Sequence, residues 1–348
     1  MNGTGHHPDS PNHVLTLVIC TYNNSDSLRK VLAQIATQDT QSLRDCAILV
    51  INNNCTDNTA AVVAATLAQG CLPGLRHILE PRQGLAHARL RGVAEARTEW
   101  IAFIDDDNFL LDGWIANAKS FIRHHPRCGA FGGRIEISWE IPPPQVLRRN
   151  DYAYASLDLG THARRLHGEE RWHLRGAGLV CRVSALVASG WTTWQACTGR
   201  SGCATTSGDD LEIVMRIARE GYELWYEPSC SMRHLISARR ISLPYIEKLH
   251  FGFGMAHPLL VGFKYRQSRA GWAIRLARSI VRDAIRLMAR GIASISDPIK
   301  LAEARLTWSY LHGTLCGIPH ALRLGIQERR NWLGHPPTTR PIRSGTHG

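Results

Sequence analysis

From Val14 to Cys20 the chain is uncharged, almost wholly apolar and rich in β-branched residues, the pattern of a strand covered on both faces. A polar turn follows at residues 21 to 24. Leu28, Val31, Leu32 and Ile35 then recur at helical spacing behind Ser25, which predicts a helix with Ser25 as its N-cap. The cycle repeats: strands are predicted at Cys46 to Ile51, Leu75 to Leu79 and Trp100 to Ile104, with helices at Ala60 to Ala68, Leu85 to Ala96 and Trp114 to His124. Beyond these, Gly129 to Trp139 alternates like an antiparallel strand, and Pro142, Pro143 and Pro144 end regular structure. Asp151 to Gly208 is less periodic. Leu211 to Glu220 reads as a helix opened by Gly208, Asp209 and Asp210, and Trp225 to Arg233 as a strand ending in His234.

Strands alternating with helices at this spacing predict an α/β fold with a mostly parallel central sheet and flanking helices. Ligands of such sheets bind beyond the carboxyl ends of the strands. Here those ends are Thr21, Tyr22 and Asn23, then Asn52, Asn53 and Asn54, then Asp105, Asp106 and Asp107, so three polar turns are expected to share one crevice.

Three consecutive aspartates repel one another unless a cation neutralises them, and hard carboxylate oxygens suit Mg2+ or Mn2+, which in turn hold a diphosphate. The plainer alternative is a solvated acidic turn. Asp209, Asp210 and Glu212 form a second acidic group at a helix start, where they complement the helix dipole or supply a general base. His234 reads as a metal ligand, a charge partner or a surface histidine among 17.

The motifs taken in order resemble those of family 2 glycosyltransferases with the GT-A fold. Val18 to Asn23 is similar to the family's opening strand and turn, Val50 to Asp57 to its second nucleotide loop, and Gly84 to Arg89 to the helix entry before Phe103 to Asp107, the DxD motif. Gly208 to Glu212, Arg216, Gly221, Tyr222 and His234 complete the series over Val14 to His234. The resemblance implies a GT-A-like domain over 14–238, with a nucleotide-sugar half (14–127) and an acceptor half (128–238). It also implies that Thr21, Tyr22, Asn23, Asn52, Asn54, Arg89, Asp105 and Asp106 bind the nucleotide sugar, and that Asp107 and His234 hold a divalent metal, Mn2+ or Mg2+. Asp210 would be the catalytic base of an inverting transfer from a nucleoside-diphosphate sugar, with a UDP-sugar expected, to a hydroxyl of a lipid-linked, polysaccharide or secondary-metabolite acceptor. Asp209, Glu212, Trp194 and Gly176 would lie on the acceptor side, and the insertion Trp191 to Ser207 in acceptor territory. Asn52 stands where family members usually carry Asp, and Asp209 where Glu is usual. Two rival readings are a nucleotidyltransferase acting on sugar phosphates, which the absence of a glycine-rich lysine loop after the first strand disfavours, and an inactive nucleotide-sugar-binding protein, disfavoured by the presence of both Asp107 and Asp210.

Charge adds one further element. The chain of 348 residues carries a net +12, and residues 239 to 348 hold 18 Lys and Arg against 5 Asp and Glu, leaving 23 against 24 before them. The excess therefore belongs to a basic helical extension over 239–331. From Trp272 to Ile292, Ala273, Leu276, Ala277, Ile280, Ala284, Leu287 and Met288 keep helical period, with Arg278, Arg282, Arg286 and Arg290 on another face. This basic amphipathic helix suits an anionic membrane surface, or a helix packed on its own domain with a solvated arginine face. A second helix, Ala302 to Leu315, carries Trp308 and Tyr310, residues that favour interfaces. No RNA-binding or zinc-finger signature accompanies the charge, so nucleic acid is not expected as a partner. Ten scattered cysteines without a CxxC pair, and no signal-like or membrane-spanning apolar run, predict reduced thiols and a cytoplasmic enzyme peripheral to the membrane. The ends, 1–13 and 332–348, are expected to be disordered.

Overall fold

A computed structural model of the chain describes residues 14–197, 200–201, 204–205, 207–265, 269–293 and 297–332. The expected disordered ends lie outside these residues, apart from Trp332, as do Gly199 and Gly202 of the acceptor-side insertion.

The first half follows the predicted alternation: β1 (Leu15–Thr21), α1 (Ser25–Ile35), α2 (Thr40–Arg44), β2 (Cys46–Asn52), α3 (Thr59–Gln69), β3 (Leu75–Leu79), α4 (Leu85–Glu95), β4 (Trp100–Asp105), β5 (Asn108–Leu110) and α5 (Trp114–His124). Next come β6 (Cys128–Gly132), β7 (Ile135–Trp139), α6 (Gln145–Arg149), β8 (Arg164–Arg165), β9 (Leu179–Arg182), α7 (Val183–Ala188) and a small ribbon of β10 (Arg200–Ser201) with β11 (Ala204–Thr205). The chain continues through α8 (Asp209–Arg219), β12 (Glu223–Tyr226), β13 (Met232–Ile236), α9 (Leu243–Tyr265), α10 (Arg269–Ala293) and α11 (Pro298–Trp332).

Eight strands form the main sheet in the order β3-β2-β1-β4-β9-β6-β12-β8. The β3, β2, β1 and β4 strands run parallel, and β9 and β8 are the reversed members. Residues 15 to 21 of β1 are all buried, as expected for a strand with helices on both faces. A second sheet, β5-β13-β7, stands beside the ends of the first.

Three local expectations need correction. Ser25 is the first residue of α1 and not its cap; Asn24 holds the cap position, and the Ser25 N–H donates to Asp57 Oδ2 at 2.9 Å. The predicted single strand from Gly129 to Trp139 is two strands in different sheets. The chain crosses between them at Gly133, where an added Cβ would run into the Cys230 carbonyl, so the backbones approach as only glycine permits. The strand predicted over Trp225 to Arg233 likewise divides into β12 and β13, and His234 lies inside β13 rather than beyond it.

The three C-terminal helices are built into the molecule. Val146, Leu147 and Tyr154 share a buried core with Ile236 of β13, Ile246 of α9 and Leu306 of α11. Where α9 crosses α11, a Cβ on Gly313 would strike the Phe251 carbonyl, and one on Gly254 the Tyr310 carbonyl. Gly313→Ala is therefore expected to force the two helices apart and lower stability by about 1 to 3 kcal/mol. Denaturant unfolding reads this directly, and an unchanged midpoint would mean the crossing relaxes freely.

Candidate active site

The sheet register brings the predicted polar turns together: Thr21 of β1 is the partner of Asn52 on β2, and Cys20 is the partner of Asp105 on β4. A cavity of about 680 Å³ opens beyond these strand ends. Thr21, Tyr22, Arg89, Asp105, Asp106, Asp107, Gly176, Asp209, Asp210 and His234 all line it. Residues from six separate stretches of sequence thus meet in one crevice.

The three aspartates face different surroundings. Asp106 accepts hydrogen bonds from Thr21 Oγ1 and Asn24 Nδ2, both at 2.7 Å, and so faces the β1 turn. Burial, with the Asp107 charge adding to it, pushes its carboxyl up to about 7. Asp107 is buried with Oδ1 3.3 Å from His234 Nε2 and Oδ2 2.6 Å from Arg240 Nη1. Burial alone would raise its pKa, but these two cations outweigh that and hold it well below the usual carboxylate range. Burial pulls His234 toward neutrality, and Asp107 more than offsets this, raising its pKa. Its other nitrogen, Nδ1, lies 2.7 Å from the Tyr154 carbonyl.

Asp107 and His234 fit a divalent cation. A histidine whose Nδ1 is tied to a backbone carbonyl presents Nε2 in a fixed direction, the usual support for a metal ligand. Mg2+ and Mn2+ sites of this kind take one or two protein carboxylates and complete their shells with water and phosphate oxygens. The arrangement holds one competitor, because the guanidinium of Arg240 occupies Asp107 Oδ2. Among the described residues, no larger cluster of His, Cys, Asp or Glu is arranged to hold a metal.

Elsewhere on the cavity wall, α8 begins at Asp209 behind Gly208 in the left-handed region (φ 101°). Asp209 Oδ2 accepts from Arg89 Nη1 at 2.5 Å, and Arg89 Nη2 stands 3.9 Å from Asp105 Oδ1, so this buried arginine bridges the two acidic motifs. Asp210 Oδ2 accepts the Gly176 N–H at 2.9 Å and Oδ1 accepts the Leu211 N–H at 2.8 Å, which fixes its carboxylate on the cavity wall.

Several residues expected in the site lie behind it. Asn52 Oδ1 accepts the Cys55 N–H at 2.8 Å and its amide nitrogen faces His77, so it shapes its own loop and does not line the cavity. Asn23 and Asn54 hold left-handed backbone positions (φ 49° and 62°) in the same turns, and Asn23 Oδ1 accepts the Thr56 N–H. Glu212, fully buried, accepts the Ala196 and Cys197 N–H groups and pairs with Arg216, whose guanidinium in turn lies 5.1 Å from the Trp194 ring. Glu212 and Trp194 therefore brace the loop before α8 instead of facing the cavity.

The cavity also has lining residues that sequence reasoning missed. Asn53, expected at the crevice with its turn but not singled out as a ligand, is one, its side chain clamped by the Glu80 and Arg82 carbonyls and the Gly84 N–H. Its place in a flagged loop was the available signal. Arg175 lies next to the flagged Gly176, whereas nothing distinguishes Arg240 among 41 basic residues. The remaining wall comes from Tyr152 and Tyr154, from Tyr245, Leu249 and Phe253 of α9, and from Tyr310 of α11. Tyr310, expected at an interface, thus faces the cavity, while Trp308 is exposed.

Comparison with known proteins accords with this arrangement. The family model described as glycosyl transferase family 2 matches residues 16–186. The pre-mycofactocin glycosyltransferase of Mycobacterium tuberculosis is 28% identical over 261 residues, covering 73% of this chain and 49% of that protein, so the chain spans about half the length of that relative. An uncharacterised glycosyltransferase of the same organism is 30% identical over 201 residues, covering 50% of this chain and 84% of that protein. Among solved structures, a mannosyltransferase of Pyrobaculum calidifontis in complex with GDP-Man and Mn2+ aligns over 88% of both chains with a TM-score of 0.59 at 16% identity, a likeness of fold. With its sheet, its ordered motifs and these relatives in agreement, the chain belongs to glycosyl transferase family 2.

Proposed function

We propose that the protein transfers a sugar from a nucleoside-diphosphate sugar to an acceptor hydroxyl, with inversion at the anomeric carbon. The observation that carries this reading is the meeting of Asp107 and His234 with Asp210 across a single cavity at the carboxyl ends of parallel strands. Thr21 and Tyr22 would flank the nucleotide, a UDP-sugar being the expected donor. Asp107 and His234 would hold Mn2+ or Mg2+, which when bound takes up the charge that develops on the departing diphosphate.

Asp210 would accept the proton of the acceptor hydroxyl. The acceptor oxygen then forms a bond to the anomeric carbon from the side opposite the diphosphate, whose bond to that carbon breaks, so the configuration inverts. The Gly176 and Leu211 N–H groups keep the Asp210 carboxylate oriented for this role. The Arg89 to Asp209 pair fixes the start of α8, and with it the direction in which Asp210 points. The test is thermal: UDP or GDP with Mn2+ should raise the melting temperature, by mass action on the native state, and EDTA should abolish the rise. No shift with any nucleoside diphosphate would count against the reading.

We further propose that α10 rests on an anionic membrane surface. The inward side of α10 carries buried Leu276 and Asp283, while Ile274, Val281, Ile285, Met288 and Ile292 form an exposed stripe. Met288, Ala273 and Ala277, expected on the packed face, are exposed. Arg275, Arg278, Arg282 and Arg286 are also exposed, the combination that favours acidic headgroups over neutral ones. No helix among the described residues is long and apolar enough to cross a membrane. Changing Val281 and Ile285 to Gln in the full chain should reduce sedimentation with phosphatidylglycerol vesicles about tenfold or more, from the lost apolar burial. Undiminished binding would overturn the membrane role.

A further inference from the structure

Among the described residues, Arg175 closes on no carboxylate. The other two arginines lining the cavity, Arg89 and Arg240, close on Asp209 and Asp107. Arg175 lines the same cavity, its Nε is buried, and among the described residues that nitrogen has no hydrogen-bond partner. Burial drags its pKa below the usual arginine range, only partly countered by Asp210 and Tyr152. A buried guanidinium N–H without a partner is costly, and an anion entering the cavity would relieve that cost.

Its position says which ligand carries the anion. Arg175 immediately precedes Gly176, whose N–H holds Asp210, so it stands on the side of the proposed base. The cations beside Asp107 are His234 and Arg240, so the proposed diphosphate end has positive charge of its own. From Arg175 the wall continues through Tyr152, whose hydroxyl lies 3.4 Å from His250 Nε2, to Phe253, whose ring centroid is 5.9 Å from that of His250. Leu249, Ala256, His257 and Leu260 of α9 and Tyr310 of α11 also line the cavity, so apart from His257 this part of the wall is apolar and aromatic.

We infer that Arg175 is the receptor for an anionic group, a carboxylate or a phosphate, on an otherwise apolar acceptor. The inference rests on the reading of Asp210 as the base that faces the acceptor. The guanidinium fork binds either anion in two parallel hydrogen bonds. The α9 and α11 wall holds the apolar body, and together they place a hydroxyl of the acceptor before Asp210.

Binding of decyl phosphate, decanoate and decanol to the full chain tests this, by calorimetry with UDP or GDP and Mn2+ present and below the aggregation concentration of each probe. The wild type should bind at least one anion about tenfold or more tightly than decanol, in keeping with a charge-assisted hydrogen bond. Preference for decyl phosphate identifies a phosphate acceptor, and preference for decanoate a carboxylate. Arg175→Gln should reduce the preference to within about twofold, and Arg175→Lys should keep part of it, since a point charge replaces the fork. Equal binding of decanol, no binding of any probe, or an undiminished preference in Arg175→Gln would overturn the inference. So would an equal loss of nucleotide affinity in Arg175→Gln, which would assign Arg175 to the donor. Nucleotide release from a sugar donor, measured on the same samples, separates the two readings: turnover without a headgroup preference sinks this inference alone, and a headgroup preference without turnover sinks the transfer reading alone.

Discussion

Asp210→Asn is expected to lower sugar transfer by about 10²- to 10⁴-fold, the usual contribution of a positioned general base. The amide keeps the size of the carboxylate and one acceptor oxygen for the Gly176 N–H, so the fold and the nucleotide end of the cavity should persist. The readout is a split: nucleotide affinity close to that of the wild type, measured by calorimetry, with kcat collapsed. If transfer survives undiminished, the proton leaves by another route. Asp209→Asn should behave differently, because Asp209 is engaged with buried Arg89 and its loss leaves that guanidinium without its 2.5 Å partner. Its effect is expected on stability as well as rate.

Asp107→Ala is the second large effect. Its carboxylate lies between His234 and Arg240, and its removal strands two partly buried cations. Breaking a buried pair from one side costs about 3 to 5 kcal/mol, and the partial exposure of Arg240 places this case toward the lower end. Catalysis should fall by about 10²- to 10³-fold through loss of charge stabilisation at the departing diphosphate. Mn2+ binding, followed by electron paramagnetic resonance on the enzyme without donor, should weaken in parallel. Asp107→Asn preserves shape and part of the hydrogen bonding, so it should recover stability without recovering Mn2+ affinity. Wild-type Mn2+ binding in both variants would remove Asp107 from the metal site.

The parallel half of the fold was legible because each strand is apolar and each helix periodic, and strand ends in such a sheet must share one edge. That placed Thr21, Asp105, Asp106 and Asp107 correctly at one crevice. The second half was harder to read. Residues 129 to 139 keep strand-like alternation straight through Gly132 and Gly133, so only the close approach to Cys230 reveals that the chain changes sheets. The α9 helix went unrecognised because it is apolar almost all round, packed between the cavity, the second core and α11, which leaves no amphipathic period to detect. The α10 helix has the opposite difficulty: it is apolar on both an inner and an outer side, and periodicity alone merged the two.

The asparagine turn shows a finer limit. Residue type marked the whole Asn52 to Asn54 loop, but backbone geometry decides which amide is spent on the loop and which faces the cavity. Asn52 caps its own turn and Asn53 lines the crevice. Arg175 and Arg240 could not be selected from composition, because what marks them is the presence of a carboxylate partner at Arg240 and its lack at Arg175, and both are tertiary. The +12 of the chain likewise divides in space. Arg275, Arg278, Arg282 and Arg286 stand exposed on α10, whereas Arg89 and Arg240 are largely withdrawn from solvent beside Asp209 and Asp107.

The most direct measurement is nucleotide release from a panel of UDP-, GDP- and dTDP-sugars, with Mn2+ and with EDTA, for the wild type beside Asp210→Asn. Release from at least one donor by the wild type, abolished by EDTA and reduced about 10²-fold or more in the variant, is the predicted result. Failure of every donor to turn over, or equal release by the variant, would contradict a nucleotide-sugar transferase whose base is Asp210.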